Sequence, residues 1–336
     1  MATDQVGVAI IGTGAIARRR YIPELLSNRR VRDVLLVGRT EHTTRKVCEE
    51  FGLDRFAWGD DAWESAVADP SVSAVIVCTP NVLHAPIAVR AAQHGKHVLV
   101  EKPMAVTLQE ADSMIEAAEA SGVVLMVGHH RRFQACYRLG KALVSSGIIG
   151  RPLSVRATLR QPGPKEWAPD SRWFYREPSL GGGVLLDLGI HMADVVIWFL
   201  EEKPLRVSAV VSRRGTPGET ATCVAEFSSG ATAVVDVAWG MSVPDKHLVV
   251  YGETGRLSVD EFEGVEVVLS HPTNTRTSFP VPKTPLNSAG QPDFGVVDHF
   301  VRCVLGMSKP DMNPKEARDA LACVLQAEAA AQVSQQ

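Results

Sequence analysis

No apolar run in this 336-residue chain approaches the ~18–20 residues that span a bilayer, so a membrane-crossing segment is not expected. The six cysteines (Cys48, Cys78, Cys136, Cys223, Cys303, Cys323) contain no C-x-x-C pair. That argues against a zinc site or a disulfide framework and for buried free thiols. Charge of one sign is also lacking: 35 Lys and Arg against 38 Asp and Glu leave a formal net charge of −3. Neither nucleic acid nor a membrane surface is an expected partner. The basic cluster Arg18, Arg19, Arg20 follows the first apolar run, the reverse of a signal peptide, and a cytoplasmic location is expected. There is no internal repeat and no low-complexity tract. What is present is the balance of a globular protein, 45% hydrophobic and 22% charged, long enough for two domains.

The stretch that organises the rest is VGVAIIGTGAIA, Val6 to Ala17. Six mostly apolar residues, enough for one buried strand, run into Gly12-Thr13-Gly14-Ala15-Ile16-Ala17. The G-x-G-x-x-A pattern suits a strand, a tight turn and a helix start. Gly12 allows the turn, Gly14 admits a pyrophosphate to the backbone, and Ala17 lets the helix press on the strand. A diphosphate would sit on the free N–H groups of that helix end. The second strand, Val34 to Val37, ends in Gly38-Arg39-Thr40. An acidic side chain there suits a ribose 2′-OH and an arginine a 2′-phosphate, so Arg39 and Thr40 favour NADP, with NAD possible. The other reading makes Arg39 a solvated charge and gives the acidic role to Glu41.

Strands and helices go on alternating: helix 41–51, a short strand near Phe56, helix 60–68, strand 74–78, helix 86–94, strand 97–100, helix 108–120 and strand 123–127. This predicts a doubly wound parallel sheet over residues 1–127, with ligands at the carboxyl ends of its strands. Cys78-Thr79-Pro80-Asn81 and His84 should border the nicotinamide side of the cofactor. Strand 97–100 empties into Glu101-Lys102-Pro103, where proline holds Lys102 extended, out of any helix. An ammonium there can orient a substrate hydroxyl and stabilise the charge that develops on its oxygen.

From residue 128 the pattern changes. Segments 153–160, 206–213, 220–227, 232–239, 247–252 and 264–269 read as strands on short polar turns, hence mostly antiparallel neighbours in a large open sheet. The second α/β domain is read as 128–336, its last helix free to pack on the first. His129 and His130, being adjacent, are poor joint ligands for a metal, and one of them is expected to face the cleft. After Gly181-Gly182-Gly183, residues 184–200 read as one helix that brings Asp187 and His191 to one face. A carboxylate beside an imidazole fixes its tautomer and makes it a better base for a hydroxyl proton. Residues 272–292, with five prolines, read as a loop serving as a subunit arm or a cleft cover. Helix 294–305 follows, and Asn313-Pro314 with Glu316 starts a last helix with a stripe at Ala317, Leu321, Val324 and Leu325.

The set GTGAIA (12–17), CTPN (78–81), GKHVLVEKPMA (95–105), RRF (131–133) and GGGVLLDLGIHMAD (181–194) resembles the glucose-fructose oxidoreductase, inositol dehydrogenase and rhizopine catabolism family (Gfo/Idh/MocA) over nearly the whole chain. The resemblance implies a Rossmann domain, a second domain whose sheet face makes a homodimer or homotetramer, and reversible oxidation of a sugar, sugar derivative or cyclic polyol with a nicotinamide cofactor. It assigns Lys102 as catalytic lysine, Asp187 as its partner and His191 as acid/base. The cofactor side takes Gly12, Thr13, Gly14, Ala15, Ile16, Arg39, Thr40, Cys78, Thr79, Pro80, Asn81, His84, Glu101 and Lys102. The substrate side takes Lys102, His130, Arg131, Trp173, Asp187 and His191. His130 stands where many members have Asn, and Trp173-Phe174 where many have Trp-Arg, so the identity of the sugar does not transfer. An NAD(P)-dependent glycosidase with transient oxidation and a non-catalytic NAD(P)-binding regulator share the same fold.

Overall fold

The computed structural model describes residues 5–168, 182–212, 214–270 and 275–333. Two compact units divide the chain: residues 1–128 with 284–318, and residues 129–283 with 319–336. The first opens with β1 (Val6–Ile11), then a π turn (Ala17–Tyr21) continuing into α1 (Ile22–Ser27). There follow β2 (Val31–Gly38), α2 (Glu41–Phe51), β3 (Arg55–Trp58), α3 (Ala62–Ala68), β4 (Ala74–Val77), α4 (His84–Gln93), β5 (His97–Val100), α5 (Leu108–Ser121) and β6 (Leu125–Val127). All six strands pair in parallel in the order β3-β2-β1-β4-β5-β6. β1 and β4 are buried along their whole length, as expected of strands covered on both faces, which is why they read as unbroken apolar runs. The order reverses between β1 and β4, so the turns leaving those two strands flank the switch point where such sheets bind nucleotides.

The second unit contains α6 (Ala135–Ser145), β7 (Pro152–Arg160), α7 (Pro164–Trp167) and a π turn (Leu185–Gly189) running into α8 (Ile190–Leu200). Then come β8 (Pro204–Ser212), β9 (Thr220–Phe227), β10 (Thr232–Ala238), β11 (Asp245–Gly252), β12 (Gly255–Asp260), β13 (Gly264–Leu269) and β14 (Arg276–Phe279). They form an eight-stranded sheet in the order β14-β13-β12-β11-β7-β10-β9-β8, with β7 and β10 parallel and the other pairs antiparallel. Burial alternates residue by residue along β8 and β9, so one face is solvated. The buried helix α8, apolar nearly all round, packs on β7 and β10, and α6 on β12 and β13. The sequence reading had no helix at 135–145, no strand at 255–260, and a loop where β14 pairs with β13. β14 is an exposed edge strand without apolar alternation.

Past β14 residues 284–318 return to the first unit, where the sequence reading places 128–336 in the second domain with only the last helix free to pack on the first. The segment before α9 (Val296–Val304) is strapped onto the first helix. Asn287 Nδ2 donates to the Arg19 carbonyl (3.0 Å), Arg19 donates to Gln291 Oε1 (2.8 Å), and the Arg20 guanidinium lies over the Phe294 ring. Residues 284–295 thus cover the unit's own opening helix. Glu24 of α1 is buried, which pushes its carboxyl from the ordinary 4.5 up to about 8; the Asp293 carboxylate adds to the shift and Arg20 offsets part of it. Asn313 caps the last helix, α10 (Pro314–Val333), by accepting the Lys315 N–H (3.0 Å). Ala317, Leu321 and Val324 are buried and Leu325 half-buried. All six cysteines are buried free thiols. No helix among the described residues is long and apolar enough to cross a membrane.

Candidate active site

In the first unit the glycine turn is built as its residues demand. Gly12 holds φ +117°, and a Cβ there would lie 2.5 Å from the Cys78 carbonyl oxygen, so the turns after β1 and β4 touch backbone to backbone. At Gly14 a Cβ would meet nothing within 4 Å, which leaves open space over the N–H groups of the following helix. Ala17 is fully buried. Together these features fit a pyrophosphate at the helix N-terminus. Thr13, Ala15 and Ile16 are half-buried around the turn.

At the end of β2, Arg39 and Thr40 are both exposed. Thr40 begins α2, and its hydroxyl donates to Thr43 Oγ1 (3.0 Å). Glu41, the acidic alternative, accepts from Arg45 of its own helix (2.8 Å). Among the described residues Arg39 has no ion-pair partner.

The loop after β4 and the Glu101-Lys102-Pro103 turn after β5 are joined by His84. Its ring is completely buried, with Nδ1 2.8 Å from the Pro103 carbonyl and Nε2 3.0 Å from the Thr79 carbonyl. Burial lowers the affinity of this imidazole for its second proton. With both nitrogens on backbone oxygens, His84 braces the two turns against each other. Glu101 is likewise framework: its carboxylate accepts the Tyr21 hydroxyl (2.5 Å) and the Lys102 N–H (3.1 Å). Burial, then the Glu101 charge, holds the Tyr21 phenol well above its usual range. The backbone around Lys102 is thus held at its own amide by Glu101 and at the Pro103 carbonyl by His84. The Lys102–Pro103 bond is cis. Cys78 is buried and contributes its carbonyl to the turn, Asn81 is buried, Thr79 half-buried and Pro80 exposed.

In the second unit Asp187 lies inside the π turn and His191 one turn on, both 5% exposed. Such π insertions often mark functional positions. Asp187 Oδ2 accepts the indole N–H of the fully buried Trp239 at 3.0 Å. His130 stacks edge-on against His191 with ring centroids 4.9 Å apart, and the His129 ring lies 6.4 Å from the same imidazole. Residues His130–Phe133 form a 3-10 turn, so both neighbouring rings approach His191 instead of diverging. Behind them Arg132 grips Asp194 through Nε (2.9 Å) and Nη2 (2.7 Å), and His129 Nδ1 stands 3.7 Å from the same carboxylate. Arg131, expected at the substrate, directs its buried guanidinium to Glu261 (2.9 Å), whose carboxylate also takes the Tyr137 hydroxyl. This ties the 130–133 turn to the end of β12. Trp173 lies outside the described residues. Among the described residues no group of three or more His, Cys, Asp or Glu could hold a metal ion.

Sequence reasoning missed Tyr21, Trp239 and Asp194. The last was within reach, because Asp194 is three residues beyond His191 on the same helix face. Trp239 and Tyr21 gave no signal, since their partners are 52 and 80 residues away.

Fold and site together define a two-unit oxidoreductase with a dinucleotide-binding Rossmann sheet. Residues 6–129 match the family model described as an oxidoreductase family with an NAD-binding Rossmann fold, and residues 137–258 match the GFO/IDH/MocA C-terminal domain. The chain is similar to the myo-inositol 2-dehydrogenase of Thermotoga maritima, 32% identical over 249 residues, or 71% of this chain and 70% of that one. Among solved structures it is similar to the aldose-aldose oxidoreductase from Caulobacter crescentus complexed with glycerol (27% identity, TM-score 0.82, 98% of both chains). It is also similar to GenD2 from gentamicin A biosynthesis in complex with NAD (27%, TM-score 0.80, 98% of this chain and 95% of that one). This protein belongs to the Gfo/Idh/MocA oxidoreductase family.

Proposed function

We propose that this protein is an NADP-preferring dehydrogenase or ketoreductase acting on a carbinol or keto carbon of a sugar, sugar derivative or inositol-like polyol. The observation that carries the reading is the setting of Lys102, locked at the carboxyl edge of the sheet by Glu101 and His84. A nicotinamide bound over that edge would accept or return hydride at the substrate carbon. Lys102 orients the substrate oxygen and stabilises the negative charge that develops on it. His191 takes the hydroxyl proton in oxidation and returns it in reduction. Asp187, fixed by Trp239, binds and polarises the substrate. The exposed Arg39 without an ion-pair partner among the described residues, beside a Glu41 engaged by Arg45, supports a 2′-phosphate and hence NADP. The myo-inositol and aldose relatives support a polyhydroxylated ring substrate. His130, packed edge-on against His191, is the neighbouring side chain placed to shape substrate choice.

A cytoplasmic homodimer or homotetramer through the solvated face of the eight-stranded sheet belongs to the same proposal. Val210 at 68% and Val224 at 49% exposure, on adjacent strands, supply its apolar contact. Light scattering of the purified protein tests it, and a monomer at all concentrations refutes it.

The function is tested by fluorescence titration with NADPH and NADH, then by a panel of hexoses, inositols, sugar acids and nucleotide-linked keto sugars followed at the nicotinamide absorbance. Lys102→Ala is expected to abolish turnover while leaving NADPH affinity within about twofold, since no phosphate contact is lost. Undiminished turnover would remove Lys102 from the mechanism. Consumption of substrate without net change in NAD(P)H would replace the reading by oxidation and re-reduction in place.

A further inference from the structure

The helix that carries Asp187 and His191 begins after Gly182-Gly183, residues with no side chain to cap it, and the residue before the π turn makes no side-chain cap. A helix start buried in this way has N–H groups that need acceptors from elsewhere. Glu219 supplies one. Only 1% exposed, at the foot of β9, it accepts the Val184 N–H at 2.9 Å on one carboxylate oxygen and the Gly215 N–H at 2.6 Å on the other. Gly183 holds φ +105°, and a Cβ there would come within 3.3 Å of the same carboxylate. The Glu219 carbonyl oxygen accepts the Trp239 N–H at 2.9 Å, and the Trp239 indole donates to Asp187 Oδ2 at 3.0 Å. One residue therefore reaches the Asp187 turn by two routes: through its side chain to the start of the helix, and through its backbone to the indole that holds the Asp187 carboxylate.

We propose that Glu219 is a positioning residue, the remote cap that sets the Asp187–His191 turn and orients Asp187 through Trp239. The inference rests on the roles given above to Asp187 and His191. It also explains Gly183: a side chain there would crowd the capping carboxylate, and the left-handed backbone suits glycine. Around Glu219 stand Glu328, which favours its neutral form, and Arg214, which opposes that and is itself bound to Glu328 (2.5 Å). Burial, the largest influence, raises the Glu219 carboxyl above its ordinary value, and the two N–H donors offset that only in part.

The test uses the full chain with Glu219→Ala, Glu219→Gln, Trp239→Phe and the Glu219→Gln/Trp239→Phe pair, read by amide hydrogen exchange and by steady-state kinetics. Glu219→Ala should speed exchange at Val184 and Gly215 and lower kcat by about tenfold to a hundredfold, with NADPH affinity within about twofold. Glu219→Gln keeps one acceptor oxygen and should restore much of kcat. The paired variant should lose less than the product of its single effects, because both act on one carboxylate. If Glu219→Ala fails to fold, the Gln and Phe variants carry the comparison. Unchanged exchange at Val184, a kcat within about twofold of the parent, or strictly multiplicative effects would each overturn the proposal. If the parent protein turns over no panel substrate, the proposed function fails, and the exchange data still decide whether Glu219 holds the turn.

Discussion

Glu24 offers a sharp test of the packing in the first unit. Its carboxyl is 4% exposed on α1, beside Asp293 of the strap, and sits at about 8 where an unfolded glutamate sits at 4.5. Below about pH 4.5 the group is protonated in both states, and its contribution to stability is fully present. As pH rises, the unfolded chain releases this proton first, so folding must retain it at a growing cost until the native carboxyl also ionises near pH 8. The interval from 4.5 to about 8, at 1.36 kcal/mol per pH unit, amounts to about 5 kcal/mol lost across the window. Glu24→Gln has nearly the same shape and no proton to lose. Urea unfolding of the two proteins from pH 4 to 9, followed by circular dichroism, should show the variant gaining on the parent by ~1.4 kcal/mol per pH unit through the middle of this range and levelling above pH 8. Curves that stay parallel within about 1 kcal/mol would refute both the burial argument and the strap's part in it.

Other outcomes follow from the same geometry. Gly12→Ala must place a Cβ 2.5 Å from the Cys78 oxygen at φ +117°, and should cost about 1–3 kcal/mol in stability as well as cofactor binding. Gly14→Ala meets no protein atom and should keep its melting temperature while losing NADPH affinity, which separates ligand space from fold. Asp194→Ala takes the bidentate carboxylate from Arg132, 2% exposed, and should destabilise by about 3–5 kcal/mol in calorimetry; a loss under 1 kcal/mol would mean the pair is not desolvated. Arg39→Ala should weaken NADPH by about 10- to 150-fold and leave NADH nearly unchanged in fluorescence titration; equal losses for both would assign Arg39 elsewhere.

What could be read from the sequence was whatever depends on neighbours in the chain. The Val6–Ile11 run, the glycine turn and the Val184–Leu200 helix declare themselves through spacing alone. The helix at 135–145 carries Gly140 in its middle, a residue of low helix propensity. In the structure it is a contact point, where a Cβ would stand 2.5 Å from a Val259 methyl of β12. The site divides in the same way. That Lys102 leaves a strand end was legible in Glu101-Lys102-Pro103. That His84 is frame depends on two carbonyls, one of them 19 residues on, and the commitment of Arg131 depends on a glutamate 130 residues away. No local pattern encodes such pairings.

The passage of the chain between its units has a practical consequence. It changes unit at 128/129, at 283/284 and again at 318/319. A fragment ending at residue 128 would lack the strap over Arg19 and Arg20 and expose the flank where Glu24 is sheltered. Recombining this nucleotide-binding half with a relative's catalytic half therefore needs a graft with several junctions, moving 129–283 as an internal insert together with the tail from 319. A single crossover would leave both products without part of their cores.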